Sequence, residues 1–184
     1  DDSKLNACLE YIAPSINRGE RVLLFCEYKA TVSYLKQKLF EEFGVVIETL
    51  TGDDNLKKKE SVCERFSPEF RNLRKRKGDP QILIATDCLS EGVDLPDANL
   101  MVNYDLFWTP LKLVQRVGRL DRPTNKKRSF GVANLIPSGP SYDNLFRLCT
   151  RLGERSTVYK KMAGIDVFQD NVRDLDNLGE EELD

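Results

Sequence analysis

VLLFCEYKATVSYLKQKLFEEFGVVIETL, residues 22–50, carries a strand, a helix and a second strand in that order. Val22-Leu23-Leu24-Phe25-Cys26 is an unbroken apolar run, the pattern of a strand buried on both faces. Val32, Leu35, Leu39 and Phe43 then recur at helical spacing on one stripe, and Gly44 stands just past the last of them as a C-terminal stop. Val45-Val46-Ile47-Glu48-Thr49-Leu50 reads as the second strand. A strand, a crossover helix and a strand within about thirty residues is the unit from which parallel sheets are built.

Downstream the alternation continues. Thr51-Gly52-Asp53-Asp54 reads as a turn into a helix ending near Phe66, and a basic loop from Phe70 to Pro80 follows. Ile82-Leu83-Ile84-Ala85 is a third strand and Leu100-Met101-Val102 a fourth. Thr109-Pro110 suits a helix start, with threonine as cap and proline at the first helical position, and Pro123 is expected to close that helix. Phe130 to Ile136 is a fifth strand, and a last helix is expected from about Ser141 to Leu152. The fold class is therefore α/β, three layers with a mostly parallel central sheet between helices. Ligands of such sheets bind outside the carboxyl ends of the strands, which points to the loops after Cys26, Leu50, Ala85 and Val102. One domain is expected over residues 1–165. Residues 166–184, acidic and poor in aromatics, are expected to be a tail that is flexible or docks elsewhere.

Composition narrows the chemistry. The chain has 184 residues, enough to bury roughly 70% of its unfolded surface without covalent staples. Cys8, Cys26, Cys63, Cys88 and Cys149 are scattered and form no C-x-x-C, so reduced thiols in a cytoplasmic protein are expected. There is no histidine, which excludes a histidine general base and most transition-metal sites. No stretch approaches the ~20 apolar residues of a membrane span, and no membrane partner is expected. The net charge of −2 hides a segregation, with basic clusters at Lys57–Lys59, Arg71–Lys77 and Lys126–Arg128 and acidic residues after Asp166.

Three constellations can carry chemistry. In Gln115-Arg116-Val117-Gly118-Arg119-Leu120-Asp121-Arg122, positions 115, 119 and 122 stand at i, i+4 and i+7 of the helix and share a face, and two arginine forks at a helix end can grip one polyanion. The same residues also suit a solvated basic helix face with surface ion pairs. Ala85-Thr86-Asp87 with Glu91-Gly92-Val93-Asp94-Leu95-Pro96 follows a buried strand. Thr86 offers a hydroxyl and a backbone N–H to a phosphate, Gly92 permits close approach, and Asp94 could accept from a sugar hydroxyl. A loop that merely caps a helix would look alike. Thr51-Gly52 is the third, with Lys59 beyond it in reach of a phosphate and Phe66 placed in the core. No G-x-x-x-x-G-K-[ST] phosphate loop is present.

The order and spacing of these pieces resemble the C-terminal, second RecA-like motor domain of superfamily-two helicases, a P-loop NTPase-like fold. Leu24-Phe25-Cys26 resembles motif IV, and Thr51-Gly52 with Lys59 and Phe66 resembles the G…R…F pattern that follows it. Ile84 to Asp94 resembles motif V and Gln115 to Arg122 motif VI. Asp105-Leu106-Phe107-Trp108-Thr109-Pro110 is similar to SWI/SNF-type double-stranded DNA translocases, in particular their RapA-like branch. The resemblance covers roughly residues 18 to 137.

It implies arginine fingers at Arg119 and Arg122 acting on the γ-phosphate of ATP. It also implies a ribose or interdomain contact at Asp94 with Gly92, coupling of two motor domains through Gln115, and a nucleic-acid grip at Gly52, Thr86 and Lys59. ATP with Mg²⁺ would be held mainly by an upstream RecA-like domain, and double-stranded DNA is favoured over RNA. The chain departs from the pattern in three places. Lys59 stands where arginine is commoner, Pro123-Thr124-Asn125 replaces Ile-Gly-Gln, and Gln115 replaces the histidine of ordinary DEAD-box proteins. A catalytically silent module that binds nucleic acid or a partner, and a motor subunit of a restriction or defence complex, stay open as alternatives. A Rossmann-type dinucleotide enzyme has no G-x-G-x-x-G to support it.

Overall fold

A computed structural model describes residues 2–89, 93–105, 110–121 and 129–135. The elements run α1 (Ser3–Asn17), β1 (Val22–Phe25), α2 (Lys29–Phe43), β2 (Ile47–Leu50), α3 (Leu56–Phe66), β3 (Ile82–Ala85), β4 (Leu100–Asn103), α4 (Pro110–Val117) and β5 (Gly131–Asn134). A single 3-10 turn, Asp87–Leu89, follows β3. Two compact units divide the chain. The first comprises Asp1–Leu106 and Gln115–Leu135. Of the second, Phe107–Val114 with Ile136–Asp184, the described residues are the first five of α4. The expected helix near 141–152 and the tail at 166–184 lie outside the described residues.

Among the described residues the sheet has five strands in the order β2-β3-β1-β4-β5, and every pairing is parallel. β1 is central, with Val22 opposite both Ile82 and Leu100. Its continuous apolar run follows from that place. Val22 and Leu24 join a cluster with Leu5, Ile12, Val32, Leu35 and Leu39, while Leu23 and Phe25 turn to the opposite face, and all four are buried. α1 and α2 therefore cover one face. α3 makes the return crossover from β2 to β3 and falls on the other face, burying Val62, Cys63 and Phe66. Phe66 is core, as its spacing suggests.

Local signals hold at most boundaries. Gly44 ends α2 in the left-handed conformation at φ 61°, which a side chain adopts only with strain. Asn55 caps α3 by accepting from Lys58 N–H at 2.9 Å. Two boundaries differ from the sequence expectation. α1, absent from the elements read in the sequence, carries Pro14 in its interior and is secured by Leu5, Cys8, Ile12 and Ile16, all buried. α4 stops at Val117, well before Pro123, and Gly118–Leu120 form a turn.

Candidate functional site

The parallel topology brings the ends of β1, β2, β3 and β4 to one edge, and the three constellations meet this edge through different links. The most tightly built feature is Arg116, near the end of α4 and only 1% exposed. Its Nε and Nη2 donate to Asp87 Oδ1 at 3.1 and 2.8 Å, and its Nη1 donates to Asn103 Oδ1 at 2.5 Å. The guanidinium also lies over the Phe25 ring, 4.4 Å from its centroid. Asn103 is oriented in turn by donating to Asn134 Oδ1 at 2.8 Å. One side chain thus ties the ends of β1, β3 and β4 to the end of α4. Burial pulls the Arg116 pKa below its ordinary value, and the adjacent Asp87 carboxylate opposes that shift.

From the sequence alone Arg116 has no assigned role. Its signal was its place on the apolar stripe, at helical spacing between Leu113 and Leu120.

Arg119 does not share a helix face with Gln115, because the helix has ended. Its N–H donates to Arg116 O at 3.0 Å and its carbonyl accepts from Leu95 N–H at 2.8 Å, so the strand of chain around Leu95 takes the place of the next helical turn. Gly118 makes that unwinding cheap. The guanidinium of Arg119 pairs with Asp94 Oδ1 at 3.9 Å. Two residues assigned separately from the sequence are therefore neighbours. Gln115 is exposed at the end of α4. Gly92 and Arg122 lie outside the described residues.

On the β2–β3 side, Thr86 is only 8% exposed and its N–H donates to Leu50 O at 3.0 Å. That corrects one expectation: the amide extends the sheet ladder and is not offered to a ligand. The Thr86 side chain bonds Cys88, whose thiol burial pushes up, while that bond and the Lys59 charge oppose the rise. Lys59 is part-exposed on α3. Gly52 is exposed, its φ is not left-handed, and a Cβ placed on it would meet no atom within 4 Å. Nothing inside the described domain requires glycine there.

The basic loop after α3 sits at the other end. It feeds the amino end of β3, and Arg71 is spent internally, donating to Cys63 O and Ser67 O at 3.1 Å each and to Asp94 O at 3.2 Å. Arg74, Lys75, Arg76 and Lys77 are exposed. Opposite them, at the carboxyl edge, Asp105 accepts from Lys4 Nζ at 2.6 Å and from Glu27 N–H at 2.9 Å, tying α1 to the loop after β1.

Among the described residues no group of three or more His, Cys, Asp or Glu side chains could hold a metal ion, and no helix is long and apolar enough to cross a membrane.

Comparison with known proteins adds three findings. Residues 3–124 match the model of the helicase conserved C-terminal domain. An uncharacterized ATP-dependent helicase of Bacillus subtilis, YqhH, is 30% identical over 145 residues, covering 79% of this chain and 23% of that protein. The DEAD-box ATP-dependent RNA helicase 40 of Arabidopsis thaliana is 32% identical over 114 residues, covering 62% of this chain and 10% of that protein. The chain thus spans a quarter or less of the length of these relatives. Among solved structures, the C-terminal part of the Fun30 ATPase domain superimposes with a TM-score of 0.63 at 16% identity, covering 79% of this chain and 44% of that one. Domain 2 of the DEAD-box helicase Mss116p, bound to an RNA duplex, gives 0.63 at 20%, covering 82% and 54%. These likenesses establish the RecA-like fold.

Proposed function

The chain belongs to the helicase conserved C-terminal domain family, and from that premise we propose that it is the second motor domain of a nucleic-acid-dependent ATPase. In this reading Arg119 and Arg122 serve as arginine fingers, and Gly52, Thr86 and Lys59 form part of the nucleic-acid track. The observation that carries the reading is the bridge from Arg116 to Asp87. It is an ion pair with its arginine buried, and it fixes the end of α4, which Arg119 follows, to Asp87 just after β3.

ATP supplies a phosphoanhydride whose terminal phosphate gains charge as it is transferred, and a guanidinium fork suits that charge. The residues present fit such a group. Arg119 is held by backbone bonds on both sides, and Asp94 beside it is an acceptor for a hydroxyl. The described residues include no phosphate loop, so an upstream domain would hold the nucleotide and Mg²⁺ and this domain would complete the site on closure. In this reading Gln115, exposed beside the buried Arg116, would meet that partner domain.

The glycine at 52, unneeded by the local fold, fits close approach of a nucleic-acid backbone. The sequence from Asp105 to Pro110 favours double-stranded DNA and a SWI/SNF-type translocase, and the scattered cysteines fit a reducing, cytoplasmic setting. RNA is the second reading, favoured by the Arabidopsis relative. The deciding experiment is ATPase activity of the full-length protein alone, with duplex DNA and with RNA, for wild type and Arg119→Ala. Stimulation by one polymer, lost in the variant, supports the reading and names the track. Stimulated turnover that survives Arg119→Ala removes the finger, and no turnover in wild type leaves a silent binding module.

A further inference from the structure

β2 is an edge strand, paired with β3 and with no other described strand. Leu50 O accepts from Thr86 N–H at 3.0 Å and Val46 O from Ile82 N–H at 3.3 Å, so the even-numbered residues of β2 bond inward. Parallel strands alternate, which turns the N–H and C=O of Thr49 outward, away from β3. Beside this open edge the outer face of α2 and the start of α3 form a cavity of about 580 Å³. Lys29, Lys36 and Lys58 line it against a single lining carboxylate, Asp54. Lys29 pairs with Asp53 and Lys58 with Asp54 across 2.6 Å, while no partner is described for Lys36. Apolar surface stands at the same place: Phe40, which lines the cavity, is 60% exposed.

An open backbone edge, a cationic rim and the exposed Phe40 ring together select one kind of occupant. Outward N–H and C=O groups of a strand are met by another extended backbone. Nucleic acid satisfies the lysines but leaves those groups unpaired. We propose that the groove between α2 and β2 binds an extended acidic peptide segment of a partner protein, which adds as a strand beside Thr49. Its carboxylates would meet Lys36 and the neighbouring lysines, and an apolar side chain would rest on Phe40. The proposal uses neither Arg119 nor the bridge at Arg116, but the groove reaches Thr51 and Lys58, beside Gly52 and Lys59 of the proposed track, so peptide and nucleic acid would compete there.

The test is selection of random peptides displayed on phage against the chain, followed by affinity measurement on the enriched peptides. The expected result is enrichment of sequences that alternate acidic and apolar residues and bind less tightly at high salt. Two variants probe the two halves of the site. Thr49→Pro removes the outward N–H, a substitution an edge strand accepts, and Lys36→Glu reverses the rim charge on an exposed face. Each is expected to weaken binding roughly tenfold or more. Circular dichroism reports whether each variant folds, and Lys36→Glu keeps the test decisive should Thr49→Pro not. No enrichment, enrichment without acidic bias, or binding that survives either folded variant overturns the proposal. So does displacement of the peptides by a single-stranded oligonucleotide that crosslinks to Lys36, which would give the groove to nucleic acid.

Discussion

Arg116 donates to Asp87 Oδ1 at 2.8 Å while its guanidinium lies 4.4 Å from the centre of the Phe25 ring. The two charges are unequal in depth: the side chain of Arg116 is 1% exposed and that of Asp87 27%. The position of the segment that carries Arg119 therefore depends on a charge that water cannot reach.

Removing either partner is expected to destabilise the domain by about 3 kcal/mol, the lower end for a buried pair because Asp87 keeps some contact with water. Asp87→Ala is expected to cost at least as much as Arg116→Ala, since it strands the deeper charge. Urea denaturation of the two variants checks both the size and the order. Equal stability with wild type would show that the bridge is not structural.

Gly52→Ala separates fold from track. With open space around the Cβ and an ordinary φ, the substitution is expected to leave stability unchanged or raise it by about 0.4–1 kcal/mol. Affinity for nucleic acid is expected to fall if a phosphate comes close to this position. Thermal melting and a binding titration at fixed salt read the two effects, and unchanged affinity removes Gly52 from the track.

The start of α1 predicts a dependence on acid. Asp2 accepts from Leu5 N–H at 3.0 Å and from Tyr34 Oη at 2.8 Å. Those bonds hold its carboxyl below the ordinary 3.8, the Leu5 bond contributing most. A depressed carboxyl contributes stability that is full above 3.8 and is lost as pH falls through the folded value. Asp2→Ala is expected to cost about 1 kcal/mol at neutral pH. Asp2→Asn keeps an acceptor for Leu5 and is expected to flatten the acid limb of the stability curve. Denaturation midpoints between neutral pH and pH ~3 decide it.

Thiol reactivity follows depth. Burial pushes Cys8 and Cys26 up to about 12 and Cys63 to about 11. Among the four described cysteines, Cys88 alone is part-exposed. A thiol reagent at neutral pH is expected to modify Cys88 well before the other three, with peptide mapping to identify the site. Early labelling of Cys26 would mean that the central strand opens.

Much of the fold was legible because its signals are local. The unbroken apolar run at Val22–Cys26 states burial on two faces, the stripe from Val32 to Phe43 states a helix, and Gly44 states where it stops. α1 was harder, because Pro14 interrupts the local case for a helix that its buried stripe nevertheless sustains. The family-level reading was legible as well, since it rests on the order and spacing of motifs along the chain, and the family match over residues 3–124 agrees with it.

The sequence by itself determined the alternation of elements, the parallel sheet and the residues that could serve chemistry at its edge. Only the tertiary structure decided how those residues divide the work. A helical wheel cannot show that Leu95 takes the Arg119 carbonyl and ends α4, that Leu50 takes the Thr86 amide, or that Arg116 is the arginine that goes inside. Each of these depends on a partner 24 to 36 residues away or on another strand, and no local pattern records which distant group will satisfy a donor.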